Sequence, residues 1–331
     1  MRLAFVLDPL ESLDPCVDST VGMMEAAQRR GHDVWVTEAR DLAVLDGRAQ
    51  ARLRRLHLAT STRQASRFVV PSPWYSLDGA AEWTELDSMD GVFFRTDPPL
   101  DQAYLHATYI LDLVDPGCTT VVNDPRGVRF ANEKLFSLQF PELVPATVVT
   151  ADAEIITGFV RDHTLAVLKP VDGHAGRGVI QLHPGDPNLC SLIEMATCHG
   201  RLPVVVQAYL DAVSYGNTRL FVVGGEPVGA VVRFPGGDDF RIGAPAELAA
   251  VTDGDRAMVA RLAPALQRQG LWRVGLDVID GRLIEVNVTS PGAMRKADAA
   301  LGTHFAEEVV ARFERLRRTG RPRAVPARLG R

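Results

Sequence analysis

Leu3 to Leu7 is an unbroken apolar run stopped by Asp8-Pro9, and it reads as a short buried strand. From Ser19 to Arg30 the spacing becomes helical, with Val21, Met24, Ala27 and Gln28 along one side and Gly31 at the end. Asp33 to Thr37 returns to strand character. Strand, helix and strand in that order predict a parallel βαβ unit. Gly91 to Arg95 and Thr119 to Asn123 are further strands, followed by Asp97-Pro98-Pro99 and Asp124-Pro125. Residues 1 to about 125 therefore predict an open α/β domain whose strands end in polar loops, the places where ligands of such sheets sit.

From Asn132 the pattern changes. A helix is predicted at Asn132 to Gln139, then strands at Leu165 to Lys169, Val204 to Tyr209, Arg219 to Val223 and Val228 to Arg233. A second helix runs from Ala257 to Gln269, closed by Gly270 and carrying Pro264 as a candidate kink. Gly275 to Val288 reads as a hairpin. The tail after Arg312 is rich in Arg and Pro and reads as a frayed, solvated end.

At 331 residues the chain has room for about two domains and a core that needs no disulfide or metal. A net charge of −5 argues against broad nucleic-acid binding, while a local Lys and Arg cluster for a phosphate ligand remains open. Cys16, Cys118, Cys190 and Cys198 are scattered without CxxC spacing, so reduced thiols in a cytoplasmic protein are expected rather than a zinc or dithiol site. The N-terminus has no cleavage-site pattern and no apolar run is long enough to span a membrane.

The chemistry concentrates in Gly275-Leu276-Asp277-Val278-Ile279-Asp280-Gly281-Arg282-Leu283-Ile284-Glu285-Val286-Asn287. Two apolar strands flank Asp280-Gly281, a strong hairpin signal. Glu285 and Asn287, two apart, share a strand face. A loop with an odd residue count brings Asp277 to that face, and a two-residue loop puts it on the other; the expectation is the odd loop with all three together. Oxygen ligands among Val, Ile and Leu are costly to bury unpaired, and a Mg²⁺ ion offsets that cost. A half-exposed hairpin with a solvated acidic face weighs about evenly against it. Lys169 ends an apolar strand directly before Asp172-Gly173-His174-Ala175-Gly176-Arg177-Gly178, a loop able to bring backbone N–H groups to phosphates. It is not a P-loop, since no GK[ST] follows. Lys134 is the second candidate cation.

The order Asn132-Glu133-Lys134-Leu135-Phe136, Leu168-Lys169-Pro170 with Asp172-Gly173, Gln207-Ala208-Tyr209-Leu210, Gly224-Gly225-Glu226-Pro227-Val228, Gly275-Leu276-Asp277 and Glu285-Val286-Asn287-Val288-Thr289-Ser290-Pro291 resembles bacterial glutathione synthetases of the ATP-grasp superfamily. Leu7-Asp8-Pro9, Ala27-Gln28-Arg29-Arg30-Gly31, Asp97-Pro98-Pro99 and Ala107-Thr108-Tyr109-Ile110-Leu111 match the same family, so the likeness runs from residue 2 to about 300. It implies an α/β ATP-grasp fold: an N-terminal α/β substrate domain at 1–125, a central lid domain at 126–210, a C-terminal domain with the Mg²⁺ site at 211–315, and a tail at 316–331.

By the same resemblance the chain is an ADP-forming carboxylate–amine ligase, joining γ-glutamylcysteine to glycine or a related acid to a related amine through an acyl phosphate. Lys134 and Lys169 would contact ATP phosphates, Gly173, Gly176 and Gly178 would close over them, and Gln207, Ala208, Tyr209 and Leu210 would hold the adenine. Asp277, Glu285 and Asn287 would bind two Mg²⁺ ions. Arg219, Arg233 and Arg295 match basic positions of the family and would steady phosphate or substrate carboxylates, Arg219 and Arg233 being expected as catalytic residues together with Arg241 of the lid, and Asp18, Ser19, Arg95, Thr289 and Ser290 would face the substrates. The implied partners are a small-molecule acid and amine and a second copy of the chain, as a dimer or tetramer, with no nucleic acid and no membrane. A nucleotide-binding protein without turnover is the competing class, and the presence of both lysines and all three ligand candidates argues against it.

The chain departs from the family on the acceptor side. Where the family reads Gly-Asp-Lys-Arg, this chain has Gly216-Asn217-Thr218-Arg219, one acid fewer. The glycine-rich substrate lid is shortened to Asp238-Asp239-Phe240-Arg241-Ile242-Gly243-Ala244-Pro245-Ala246-Glu247 and lacks the family's Asn, and Ser-Pro-Thr becomes Ser290-Pro291-Gly292. The run Asp238 to Ala250 is expected to be a mobile cover over the acyl phosphate, poorly ordered without ligands, with Arg241 as its cation.

Overall fold

The computed structural model describes residues 1–236 and 239–319, with backbone alone at 243–246. It contains three sheets and one small ribbon. The first sheet holds β1 (Arg2–Val6), β2 (Asp33–Thr37), β3 (Leu42–Leu45) and β4 (Arg48–Leu58). After the separate ribbon of β5 (Thr62–Gln64) and β6 (Arg67–Val69) it gains β7 (Tyr75–Leu77), β8 (Glu82–Glu85), β9 (Gly91–Phe94) and β10 (Thr120–Val122). β10, β9, β1 and β2 lie side by side and parallel, and α1 (Ser19–Arg29) makes the crossover from β1 to β2. Asp18 starts α1, its carboxylate accepting the N–H groups of Thr20 and Val21 at 2.7 and 2.9 Å. α2 (Gln102–Leu111) and α3 (Pro125–Phe130) follow β9 and β10.

The sequence pattern gives no element between residues 42 and 85, yet β3, β4, β7 and β8 extend the sheet antiparallel beyond β2. β4 does alternate, burying Ala49, Ala51 and Leu53 and exposing Arg48 and Arg52. Small alanines on the inner face and arginines on the outer one hide the two-residue period.

β11 (Thr147–Thr150), β12 (Ala166–Pro170), β13 (Ile180–Leu182) and β14 (Val204–Ala208) form an antiparallel second sheet with α4 (Ala153–His163) and α5 (Leu189–Ala196). The third sheet runs β17-β16-β15-β18-β19, from β15 (Asn217–Val223), β16 (Glu226–Gly236), β17 (Asp239–Ala249), β18 (Arg273–Ile279) and β19 (Arg282–Asn287). α6 (Asp253–Arg268), α7 (Met294–Leu301) and α8 (Phe305–Arg318) accompany it.

Two cores run through the first and third sheets together. Alternation puts Ala4, Val6, Leu220 and Val222 in one and Leu3, Phe5, Phe221 and Val223 in the other. The second sheet has a core of its own around Ile156, Val160, Leu168 and Val206. A lobe with its own core can move against the rest without opening the other two.

Two expectations need correction here. Asn132–Gln139 is not an α-helix: the Asn132 side chain accepts the Lys134 and Leu135 N–H groups at 3.1 Å each, making a turn, and only Phe136–Gln139 coils as a 3₁₀ segment. The chain after Arg312 is not frayed up to Arg318, because α8 buries Phe313 and Arg312 pairs with Glu308 and Glu226. The rest of that tail, 320–331, lies outside the described residues. α6 begins four residues before the predicted Ala257, held by a capping box between Thr252 and Asp255, and continues through Pro264.

Gly127 in α3 lies so close to the Gln269 carbonyl after α6 that a Cβ would fall 1.8 Å from its oxygen. Gly127→Ala is expected to cost about 1–3 kcal/mol through overpacking, seen as a lower unfolding midpoint. Gly158→Ala in α4, where nothing lies within 4 Å, is expected to gain roughly 0.5–1 kcal/mol instead.

Candidate active site

A cavity of about 220 Å³ lies between the second and third sheets. It brings together Lys134, Lys169, Gly173, Gly176, Gln207, Ala208, Tyr209, Leu210, Arg219, Arg233, Arg241, Asp277, Glu285 and Asn287. The two lysines come from different places: Lys134 from the Asn132 turn, Lys169 from the end of β12. Lys134 Nζ donates to the Gly173 carbonyl, which links the turn to the glycine-rich loop. Lys169 Nζ donates to Gln207 Oε1 at 2.9 Å, and Gln207 Nε2 to Thr147 Oγ1 at 3.0 Å. Burial pushes the Lys169 ammonium down to about 8. The N–H groups of Ala208 and Tyr209 are already donated to the Ala146 and Leu165 carbonyls, which leaves the Leu210 amide as the free donor of that segment among the described residues. Gly178 does not line the cavity; its backbone has φ +69° and turns against Pro170, where a Cβ would come within 2.8 Å of Cγ.

The third sheet supplies the floor. Arg219 on β15 donates to Asp277 on β18 through Nε and Nη2 at 2.5 and 2.9 Å, and Arg233 on β16 adds Nη2 to Asp277 Oδ1 at 2.7 Å. Burial alone would raise the Asp277 pKa, but the two guanidiniums hold it well below the carboxylate range. Glu285 is the opposite case. It sits across the strand pair from Asp277, its carboxylate makes no hydrogen bond among the described residues, and its pKa is raised by burial with Asp277 and Glu133 near, against Lys134 and Lys169.

Asp277 and Glu285 do share a face, but not through an odd loop. The hairpin turns on two residues, Asp280 and Gly281, both with positive φ, as a primed turn requires. The odd residue is a bulge: Asp277 pairs with Glu285 and Val278 with Leu283, so Ile284 is the extra one and flips the parity. Among the described residues no three His, Cys, Asp or Glu side chains converge as a ready cation site. Glu285 and Asn287 do fit a hard cation. The Glu285 carboxylate is unpaired, and Asn287 spends its Nδ2 on the Gly275 carbonyl at 3.2 Å, which leaves Oδ1 open. The Asp277 oxygens already accept three N–H groups, so only Oδ2 keeps acceptor capacity.

A larger cavity of about 920 Å³ adjoins the first and shares Arg219, Arg233, Glu285 and Asn287 with it. Thr289 and Ser290 line this space. Asp18, Ser19 and Arg95 line a further pocket of about 360 Å³ beside it, with Ser290 and Lys296 common to both. Arg295 lines neither. Its Nη1 pairs with Glu25 on α1 at 2.9 Å, its Nε donates to the Pro15 carbonyl, and its guanidinium lies 4.4 Å from the centre of the Phe68 ring. It is a buried tie between α7 and α1 rather than a substrate contact. Glu133, which the sequence does not single out beside Lys134, accepts the Val288 and Thr289 N–H groups and the Thr289 hydroxyl. Its signal in the sequence was a lone acid beside a lysine, which is a common surface pair.

The segment expected to be a loose acceptor-side cover is a strand. Asp239–Ala249 pairs antiparallel with β16, and its Phe240, Arg241 and Ile242 line the smaller cavity, not the larger one. Gly237 and Asp238 lie outside the described residues. Phe240 meets the Tyr209 ring at 6.4 Å, and Arg241, paired with Asp239, donates to the Gly176 carbonyl at 3.3 Å. Backbone pairing along an edge, which needs no apolar area, makes the run a strand.

The family model of the prokaryotic glutathione synthetase N-terminal domain matches residues 1–129, and that of the prokaryotic glutathione synthetase ATP-grasp domain matches 133–302. The chain is 47% identical over 315 residues to the glutathione synthetase of Thermosynechococcus vestitus, covering 94% of this chain and 99% of that one. It is 46% identical over 320 residues to that of Synechococcus elongatus, covering 96% and 99%. In fold it is similar to the ATP-grasp ligase PsnB (TM-score 0.61, 16% identity, 96% and 98% covered). The D-cycloserine synthetase DcsG is comparable (TM-score 0.60, 20% identity, 95% and 100% covered). Among the described residues no helix is long and apolar enough to cross a membrane.

A Lys169 ammonium near 8 loses its proton as pH rises through that value, and a polyphosphate beside it restores the charged form. Nucleotide binding should therefore take up protons above about pH 8 and none well below it. Calorimetry in two buffers of different ionisation enthalpy reads this directly. Lys169→Met should abolish the uptake and weaken binding by about 1.5–3 kcal/mol.

Proposed function

The chain belongs to the prokaryotic glutathione synthetase family, ATP-dependent ligases that form an amide bond and release ADP, and on that premise we propose that it joins γ-glutamylcysteine to glycine. The observation that supports this site assignment is the junction of the two cavities, where Arg219, Arg233, Glu285 and Asn287 face both. A terminal phosphate in the smaller space and a carboxylate in the larger one would meet there.

In this reading Lys134, Lys169 and the Gly173–Gly176 loop hold phosphates, and the Leu210 amide with Tyr209 holds the adenine. Mg²⁺, taken as two ions at Glu285, Asn287 and the free side of Asp277, supplies neutralisation of phosphate charge when bound. The acid's carboxylate attacks the γ-phosphorus in line, the acyl phosphate forming as the bond to the β–γ bridging oxygen breaks and ADP leaves, with Arg219 and Arg233 already aimed at the charge that develops. The second lobe closes over the acyl phosphate and excludes water. The neutral amine then attacks the carbonyl carbon and phosphate leaves. Asp18, Ser19, Arg95, Thr289 and Ser290 frame the acid in the larger space. Self-association as a dimer or tetramer belongs to the same proposal and is read by sedimentation velocity.

A second reading keeps the chemistry and changes the amine. It is favoured by β17, whose Phe240, Arg241 and Ile242 line the smaller cavity, while no described side chain of this strand lines the larger one. A site built for one amine can reject another by orders of magnitude. Supplying γ-glutamylcysteine, ATP and Mg²⁺ with glycine or a panel of amines separates the two. Glutathione formed with glycine far above all other amines supports the first reading, and ADP formed only with another amine supports the second. With the amine replaced by hydroxylamine, a hydroxamate of the acid should accumulate. Glu285→Gln should abolish ADP formation while leaving the unfolding midpoint within about 1 kcal/mol of wild type.

A further inference from the structure

The turn after β19 is gripped by a cation that the reaction just described does not use. Arg273, at the start of β18, is 4% exposed. Its Nη2 donates to the Pro291 carbonyl at 2.9 Å, its buried Nε has no partner, and no carboxylate among the described residues pairs with it. Burial, with Arg95 and Arg219 near and Asp18 acting the other way, holds its pKa well below the usual guanidinium value. An apolar side chain of the same size would fill this place without the cost of an unpaired charge.

Arg273, Gly275 and Asp277 alternate onto one face of β18. A Cβ on Gly275 would come 3.0 Å from Pro291 Cβ and 3.1 Å from Arg219 Cδ. Pro291 is thus seated on bare backbone, between the arginine that holds its carbonyl and the shaft of the arginine that reaches Asp277. Arg95 reaches the same turn from the first sheet, Nη1 toward the Thr289 carbonyl and Nη2 toward that of Pro291, both at 3.5 Å. Asn123 closes the clamp. Its Nδ2 donates to the Arg273 and Val288 carbonyls at 2.7 Å each, and its Oδ1 accepts the Arg273 N–H at 2.8 Å. Thr289, Ser290, Pro291 and Gly292 form one wall of the larger cavity.

We propose that Arg273 is a positioning residue for the acid substrate: through Pro291 it fixes the Thr289–Gly292 turn and the Arg219 shaft together, and its unneutralised charge backs the place where a carboxylate meets Arg219. The inference rests on the reading of the larger cavity as the acid site. Lys134, Lys169 and Gln207 to Leu210, read as the nucleotide contacts, line the smaller cavity and not the larger one, so the acid and ATP should respond differently.

The test is steady-state kinetics of wild type, Arg273→Met and Arg273→Lys with γ-glutamylcysteine and ATP varied in turn, beside urea unfolding. In the Met variant kcat/KM for the acid is expected to fall roughly 10–100-fold, with KM for ATP within about twofold. Lys, keeping charge and a donor for the Pro291 carbonyl, should recover part of the loss. The Met variant should unfold at the wild-type midpoint or above it, since it sheds an unpaired buried charge. A residue that only supports the fold would lower the midpoint and leave the acid's kcat/KM intact. Wild-type kcat/KM for the acid in the Met variant, or equal losses toward acid and ATP, would overturn the proposal. If wild type makes no ADP with γ-glutamylcysteine, that failure belongs to the substrate reading, and the same comparison is made with the acid that supports turnover.

Discussion

Asp277 holds two guanidiniums where water barely reaches, Arg219 through two contacts and Arg233 through one, at 2.5 to 2.9 Å. The three residues stand on neighbouring strands β18, β15 and β16, so the ion pair also staples the sheet across its middle. Such a triad is weak evidence of net stability, because desolvation offsets most of the attraction, but removing its single carboxylate would strand two buried cations. Its value is geometric. The cations that face both cavities are fixed before any ligand arrives, so little reorganisation remains for the reaction. The Glu285 carboxylate, opposite Asp277 on the strand pair, is pushed the other way and has no hydrogen bond among the described residues. Two carboxylates side by side thus take different work, one spent on arginines and the other free for a cation.

The lysines sit on opposite sides of a seam. Glu133, next to Lys134, accepts from Val288 and Thr289, and its carbonyl accepts the Val286 N–H at 2.9 Å. Lys134 therefore moves with the third sheet. Lys169 belongs to the second sheet, which has its own core. The link between Lys134 and the Gly173 carbonyl, and that of Arg241 to the Gly176 carbonyl, are polar and cross the seam. Such contacts exchange with water or phosphate far more cheaply than an apolar core can be split. A closure of the second lobe on a nucleotide would accordingly change the distance between the two lysines without disturbing the floor.

How much of this could be read from the chain differs by element. The parallel strands and α1 were legible, because apolar runs ending in Asp-Pro and a capped helical stripe are local signals. The cleft residues were legible only as a set, through a family likeness spread over the chain; singly, Lys134 or Gly173 says little. The hairpin was legible as a turn but not as a parity, since a bulge at Ile284 leaves no mark in composition. Arg295 was misplaced for a similar reason: a basic position in a family motif does not reveal a partner such as Glu25, 270 residues away. β4 and β17 were missed because their ladders rest on backbone pairing, with small or charged side chains that carry no strand signature.

Charge balance joins these observations. Where the family run has an acid, this chain has Asn217, buried at 4% exposure, whose Oδ1 accepts from Arg233 at 2.8 Å. The hydrogen bond survives and the negative charge does not. In direct ion pairs the floor then carries Arg219 and Arg233 against the single carboxylate of Asp277, with Arg95 and Arg273 behind it hydrogen-bonded only to carbonyls or a hydroxyl. Of these four buried cations only Arg219 and Arg233 are ion-paired, both to Asp277, and Glu285, Glu133, Asp18 and Asp97 act on the set only at a distance, so the resting floor is short of paired negative charge. Phosphates and a carboxylate are the ligands that would correct the deficit, and they would do so at the junction of the two cavities. Each added anion relieves repulsion among the arginines as well as making its own contacts. Anions bound at that junction would complete the electrostatics of this core, and through Asp277 they would couple the binding of acid and nucleotide.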